Sequence, residues 1–345
     1  MRALLILWLG IAWAQPPSDS EVRKILAEHS SGQGQGWGIV AGIIEPKGRR
    51  IVSTGNLDGD TIFEIGSATK VFTSLLLADM AERGEVALDD PIAKYLPAEV
   101  KVPERGGRSI TLLDLSTHTS GLPRMPSNLS PKDMNNPYTD YSAQKLYQFL
   151  SGFELTRDIG SKFEYSNLGA GLLGHLLARR AGSEYEALVR SRICAPLAMN
   201  STQVTLSPEL KAKLTPGHNA QGAVVPNWDF QALAGCGALR SSVNDLLTFL
   251  AANLGFSHSP LERAMAAMVK PRRPTGQAGM EIALGWLVAA RDGHEIIWHN
   301  GGTGGYRSFI GYDRQARVGV AVLSNSFTLA GVDPIGMRLL ELMRR

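Results

Sequence analysis

Apolar runs of strand length sit at the two ends of this 345-residue chain, and helical periodicity fills the stretch between them. Near the start, residues 37–44 and 50–53 read as two strands joined by the turn Glu45-Pro46-Lys47-Gly48, and 61–65 reads as a third. After residue 281 strands return at 282–288, 295–298, 306–312 and 318–323, with turn signals at Arg291-Asp292-Gly293 and Asp313-Arg314. A helix at 334–343 closes the pattern. Apolar strands must pair and be covered, and those at one end of this chain find their partners at the other. The expected fold class is therefore α/β of the α+β type: an antiparallel sheet built from the N- and C-terminal segments, flanked by helices, with a mainly helical subdomain inserted. Residues 15–85 and 281–345 would form the sheet subdomain and 86–280 the insert.

The best helical patterns of the insert are 112–118, 142–150, 169–180, 185–192, 242–254 and 261–269, and a further helix at 19–29 is capped by Ser18 or Asp19. The length suffices to bury a large core without metal or disulfide staples. Charged residues are 19% of the chain, below the ~25% of an average domain, so the chain is not of the disordered type. A formal charge of +3 is too small to imply nucleic acid or an acidic membrane as partner.

The first residues have the form of a secretory signal. Arg2 gives a basic start, 3–13 is apolar, and Ala12-Trp13-Ala14 is a small-x-small site that predicts cleavage after Ala14. The competing reading is a buried N-terminal helix. The apolar run is too short to span a bilayer, so the expectation is an exported protein, secreted or periplasmic, with no stable membrane anchor after cleavage. An oxidising compartment would permit Cys194 and Cys236 to pair; two buried thiols are the alternative, and the sequence leaves both open.

Three clusters could carry chemistry. Ser67-Ala68-Thr69-Lys70 sets a hydroxyl and an amine three residues apart, on one face of the first turn of a helix. A serine needs a base within reach, and a helix N-terminus offers N–H groups to a developing oxyanion. The spacing alone is weak, since Ser142-Ala143-Gln144-Lys145 repeats it in a polar stretch that reads as a solvated helix face. Ser67 differs in following a strand and a glycine and in opening an apolar helix that can desolvate Lys70. Tyr165-Ser166-Asn167 offers a phenol for proton relay and an amide for a substrate amide, with a loop tyrosine and an Asx turn as the plainer alternative. His299-Asn300-Gly301-Gly302-Thr303-Gly304-Gly305 concentrates glycine, a residue already in excess at 37 positions, between two strands. There it allows close approach of a ligand to a strand edge.

Other chemistries fit less well. No Gly-Lys-Ser/Thr follows the glycines and no helix does either, which argues against a phosphate loop. His294 and His299 are not at zinc-protease spacing, and His29, His118, His175, His218 and His258 read as surface or core residues. A Gly-x-Ser-x-Gly elbow is absent.

In chain order, Ser-x-x-Lys, Tyr-x-Asn and His-x-Gly together resemble the serine penicillin-recognising hydrolases, the branch with class C β-lactamases, DD-carboxypeptidases and family VIII carboxylesterases. The similarity extends to 113–122, 196–199 and 298–309. The resemblance implies Ser67 as acylated nucleophile, Lys70 as its proton acceptor and Tyr165 as proton shuttle to the leaving group. It implies Asn167 as holder of the substrate amide, an oxyanion hole from the Ser67 and Gly302 N–H groups, and Gly301 as the residue permitting close approach. It implies no cofactor and no metal, and a small-molecule or peptidoglycan-type substrate. The activities it implies are β-lactamase or DD-carboxypeptidase-like amide hydrolysis, with a carboxylesterase or a non-turnover penicillin or peptidoglycan binder as alternatives. Many β-lactamases carry Lys-Thr-Gly as third motif, whereas His299-Asn300-Gly301 substitutes a titratable group, which leads one to expect a pH dependence near neutrality. Either His299 or Arg307 would then meet a substrate carboxylate.

Overall fold

Alternation decides which residues of the sheet face which way. In the computed structural model, which describes residues 16–30, 36–327 and 331–344, the strands β1 (Ile39–Glu45), β2 (Gly48–Ser53), β3 (Arg273–Pro274), β4 (Met280–Ile282), β5 (Leu287–Arg291), β6 (His294–Gly302), β7 (Arg307–Asp313) and β8 (Val318–Ser324) form one antiparallel sheet. Its order is β2-β1-β8-β7-β6-β5-β4-β3, so the first and last strands of the chain lie side by side, one strand in from an edge. The expected leader, 1–14, lies outside the described residues.

Ile39, Ala41 and Ile43 of β1 and Val318, Val320 and Val322 of β8 point to one face, where they pack with Val22 and Leu26 of α1 (Asp19–Ser30) and Leu339 and Leu340 of the C-terminal helix Asp333–Met343. Val40, Ala321 and Leu323 point the other way into a second, larger core. With both faces covered, every residue of β8 is buried.

The second core is centred on α2 (Thr69–Glu82), buried from Thr69 through Met80 on all sides, with its polar Thr69, Lys70, Thr73, Ser74 and Asp79 each hydrogen-bonded. Around it stand α3 (Asn167–Ala181), which contacts α2 directly, α4 (Val243–Asn253), which lies on β1 and β8, and α5 (Glu262–Met268), which packs on α2. No helix among the described residues is long and apolar enough to cross a membrane.

Several elements depart from expectation. The run 61–65 contributes only Phe63–Glu64 to a short pair with Arg240–Ser241, since Ile65 turns away at once into the 3-10 turn Gly66–Ala68. The run 282–288 is two strands, because residues 283–286 form a tight turn closed by Ala283 N–H donating to Trp286 O, with Gly285 at φ +67°. The sheet also starts at Arg273, ahead of residue 281. Strand 295–298 runs on to Gly302, which carries the glycine cluster into the sheet.

Candidate active site

The site forms where the start of α2 meets the end of β6. Ser67 lies in the Gly66–Ala68 turn, and the first turn of α2 brings Lys70 beneath it. Lys70 is 1% exposed, and its Nζ reaches three oxygens: Ser67 Oγ at 2.9 Å, Asn167 Oδ1 at 2.9 Å and the Cys236 carbonyl at 2.8 Å. All three oxygens can accept, so Nζ donates to each and is held pointing at the Ser67 hydroxyl.

The carbonyl of Cys236 is placed by packing. Thr73, one turn along α2, donates to Gly235 O at 2.7 Å. On the other side the turn rests on α3 so closely that a Cβ on Gly174 would stand 2.8 Å from Gly235 Cα. Cys236 and Cys194 are both buried free thiols, not a disulfide. Burial pushes them up to about 11 and about 12, so neither acts as a thiolate nucleophile.

Tyr165 precedes α3, whose N-cap Ser166 accepts from Gly169 N–H. Its ring lies 4.7 Å from Lys70 Nζ, 4.7 Å from the His118 ring and 5.0 Å from the Arg124 guanidinium. Asn167 begins α3 and spends both ends of its amide: Oδ1 on Lys70, and Nδ2 on Tyr138 Oη at 3.0 Å. It is a partner of the lysine and also lines the recess beside Ser67.

Across from Ser67, β6 is pressed against the Gly66–Ala68 turn. A Cβ on Gly301 would lie 2.0 Å from Ile65 O and 2.8 Å from Ser67 N, and one on Gly66, at φ +49°, 2.6 Å from Gly302 N. Ser308, paired with Gly301 in the sheet, donates to Ile65 O at 2.7 Å and ties turn to sheet. Ser67 and Gly302 both line a recess of about 20 Å³, which opens beside a cleft of about 490 Å³ lined by Ser67, Arg124, Tyr165, Trp228, Gly302 and Arg307.

Two sequence expectations need correction. His299 is 1% exposed beneath the cleft, and its Nδ1 meets the Asn300 carbonyl. Burial, with Lys70 nearby, pulls it down to about 3. Held that far down it is neutral at pH 7, and it does not line the cleft. Arg307 lines the cleft, yet its guanidinium donates to Thr303 O at 3.2 Å and Tyr306 O at 3.0 Å and lies 3.6 Å over the Phe327 ring. It braces the glycine turn. The second Ser-x-x-Lys behaves as read: Ser142 caps the helix Ala143–Gly152 by accepting from Lys145 N–H.

With the serine, lysine, tyrosine and glycine strand assembled at one cleft, the comparison with known proteins is direct. The Beta-lactamase family model matches residues 25–341. The chain belongs to the Beta-lactamase family. It is similar to the D-alanyl-D-alanine-carboxypeptidase/endopeptidase AmpH of Escherichia coli (strain K12), 30% identical over 278 residues that cover 76% of this chain and 71% of AmpH. It is also similar to a Beta-lactamase of Escherichia coli (strain K12), 26% identical over 301 residues, 77% of this chain and 75% of the other. Among solved structures it resembles a beta-lactamase/D-alanine carboxypeptidase from Yersinia pestis complexed with citrate, with a TM-score of 0.81, 27% identity and coverage of 94% of this chain and 97% of that one. A class C beta lactamase from Rhodobacter sphaeroides shares the fold, with a TM-score of 0.80 at 22% identity, over 93% and 97% of the two chains.

Within this family member, sequence reasoning passed over His118, taken as an ordinary surface or core histidine. It is 2% exposed, sits at φ +57°, and is sandwiched between Phe163 and Tyr165. Its Nδ1 accepts from Ser166 N–H at 3.1 Å and its carbonyl from Glu164 N–H at 2.8 Å, so one residue fixes the main chain on both sides of Tyr165. Burial, with Lys70, His299 and Arg124 adding to it, holds the imidazole well below its ordinary range and keeps Nδ1 an acceptor. The signal was local but faint: a left-handed residue just past a helix end is usually glycine or asparagine. An aromatic wall was also missed, in which Tyr138 stacks on Phe230 at 4.5 Å with Trp228 beside it. Trp228 is fixed by donating its main-chain N–H to the buried Glu64, at 2.8 Å.

Proposed function

We propose that the chain is an exported serine hydrolase that works through an acyl-enzyme on Ser67, acting on β-lactam or D-Ala-D-Ala-type amides. The observation that carries this reading is the 2.9 Å approach of Lys70 Nζ to Ser67 Oγ at the buried start of α2. Lys70 takes the hydroxyl proton as Ser67 attacks the substrate carbonyl. The carbonyl oxygen, becoming an oxyanion, enters the recess beside the N–H groups of Ser67 and Gly302, fixed donors that need no reorganisation. Tyr165, open to the cleft and within 4.7 Å of Lys70 Nζ, passes the proton to the leaving group and later draws one from the water that releases the acyl group. Asn167 and the Cys236 carbonyl keep the lysine aimed throughout.

The activities named in AmpH and in the Escherichia coli Beta-lactamase support amide substrates of this class. A carboxylesterase is the second reading, favoured by one observation: the third motif carries a neutral, buried His299 and thus no fixed cation for a substrate carboxylate. Export, with cleavage after Ala14 and a periplasmic or secreted destination, is part of the same proposal. Side-by-side turnover of nitrocefin, a D-Ala-D-Ala peptide and a p-nitrophenyl ester by the wild type and Ser67→Ala tests it. Amide turnover that vanishes in Ser67→Ala is expected. Activity on the ester alone moves the protein to the second reading, and activity that survives Ser67→Ala refutes both.

A further inference from the structure

Three cationic side chains stand at the Ser67 cleft, Lys70 beneath it and Arg124 and Arg307 in its lining, and two are committed to the protein itself. Lys70 is spent on Ser67, Asn167 and Cys236. Arg307 is bonded to two main-chain carbonyls and stacked on Phe327, and Asp333, at the same end of the cleft, offsets its charge. The third is Arg124. Its main chain is locked to the start of α3: the Arg124 carbonyl accepts from Asn167 N–H at 3.0 Å and Leu168 N–H at 3.2 Å, and the carbonyl of Pro123 before it accepts from Ser166 Oγ at 2.7 Å. The side chain is exposed, lines the cleft and lies 5.0 Å over the Tyr165 ring. Among the described residues no carboxylate stands within ion-pair distance of its guanidinium. A rigidly based arginine with its five donors open to a substrate cleft is built to receive an anion.

We propose that Arg124 is the specificity-determining residue that reads a carboxylate carried by the leaving group of the substrate. The side follows from the neighbour it covers. In the acyl-enzyme reading, on which this inference rests, Tyr165 hands its proton to the departing group, so a guanidinium over the Tyr165 ring faces what departs and not the acyl portion that stays on Ser67. The positive charge that the third motif lacks, because His299 is neutral and buried, is thereby supplied from a different segment of the chain. Planar, bidentate pairing makes the arginine selective for carboxylate over a neutral polar group of the same size.

The test uses a matched pair of phenyl esters with a common acyl group, one with a meta-carboxylate on the leaving phenol and one without, and reads the ratio of their kcat/KM values. In Arg124→Gln that ratio should fall about 10- to 100-fold, the range of a charge-assisted hydrogen bond lost. Arg124→Lys should recover part of it, Arg124→Glu should lower it further, and added salt should shrink the wild-type ratio. The position is exposed, so these variants fold. A ratio unchanged within about twofold across the series overturns the proposal while leaving the hydrolase reading intact. Failure of both esters, and of nitrocefin and a D-Ala-D-Ala peptide, to acylate Ser67 in the wild type removes the hydrolase reading, and this inference with it.

Discussion

The closest approach in the site, that of β6 to the nucleophile turn, makes Gly301→Ala its most sensitive probe. The added Cβ would stand 2.0 Å from Ile65 O and 2.8 Å from Ser67 N, and both obstacles are main-chain atoms that no side-chain rotation can move. To restore an ordinary contact of 3.4 Å to Ile65 O, strand and turn must part by about 1.4 Å. Ser308 Oγ, which bridges to the same carbonyl at 2.7 Å, would be stretched as well. Overpacking of this kind costs about 1–3 kcal/mol in stability. For the chemistry the loss is larger, since a misplacement of about 1 Å at a reacting centre costs about 100-fold. Gly302→Ala is the internal comparison: the three atoms nearest its Cβ all belong to the Arg307 side chain, with no main-chain atom among them, so its loss should be smaller by about tenfold or more. Stopped-flow acylation by nitrocefin or a p-nitrophenyl ester, with urea unfolding in parallel, separates rate from stability. Equal acylation rates in the two variants, or a near-normal rate in Gly301→Ala, would show that the oxyanion site does not depend on this contact.

Other outcomes follow from the same geometry. His118→Phe, which removes the Nδ1 acceptor of Ser166 N–H, should cost about 1–3 kcal/mol in urea unfolding and lower kcat more than it changes KM, while His118→Asn, with a side-chain oxygen in reach, should recover part of both. Lys70→Ala and Tyr165→Phe should each reduce turnover by at least about 100-fold, as expected of positioned proton carriers; near-normal rates would place the chemistry elsewhere. His299, neutral in the folded protein down to about pH 3, takes up a proton in the unfolded chain near its ordinary value of 6.5. The unfolded state therefore binds more protons between those limits, stability falls as pH drops through them, and at pH 5 the loss is roughly 2 kcal/mol. Urea unfolding of wild type and His299→Gln at pH 7 and pH 5 checks this, and an equal pH dependence in both would contradict the buried, neutral assignment.

The sheet could be read from the chain because its signals are local: alternating Ile, Val and Ala in β1 and β8, and turn residues between neighbouring strands. The nucleophile junction was legible for the same reason, as Ser67 and Lys70 lie within one turn. Contacts between distant residues were not. Lys70 meets a carbonyl at Cys236, 166 positions away, and only the fold says which carbonyl it is. His299 illustrates the opposite error: its place in a motif suggested a titrating group facing substrate, but burial beside Lys70 decides its charge and its direction. The break at 283–286 within an apolar run was hidden because buried strand and buried turn share a composition there, and only Gly285 marks the bend.

The central claim is that Ser67 is the atom-bearing residue of the reaction. It is tested most directly by incubating the protein with a fluorescent penicillin or a fluorophosphonate and locating the adduct by peptide mass spectrometry. The account predicts a single modification on the peptide that holds Ser67, absent in Ser67→Ala and slowed in Lys70→Ala. An adduct on another residue, or labelling that persists in Ser67→Ala, would contradict it.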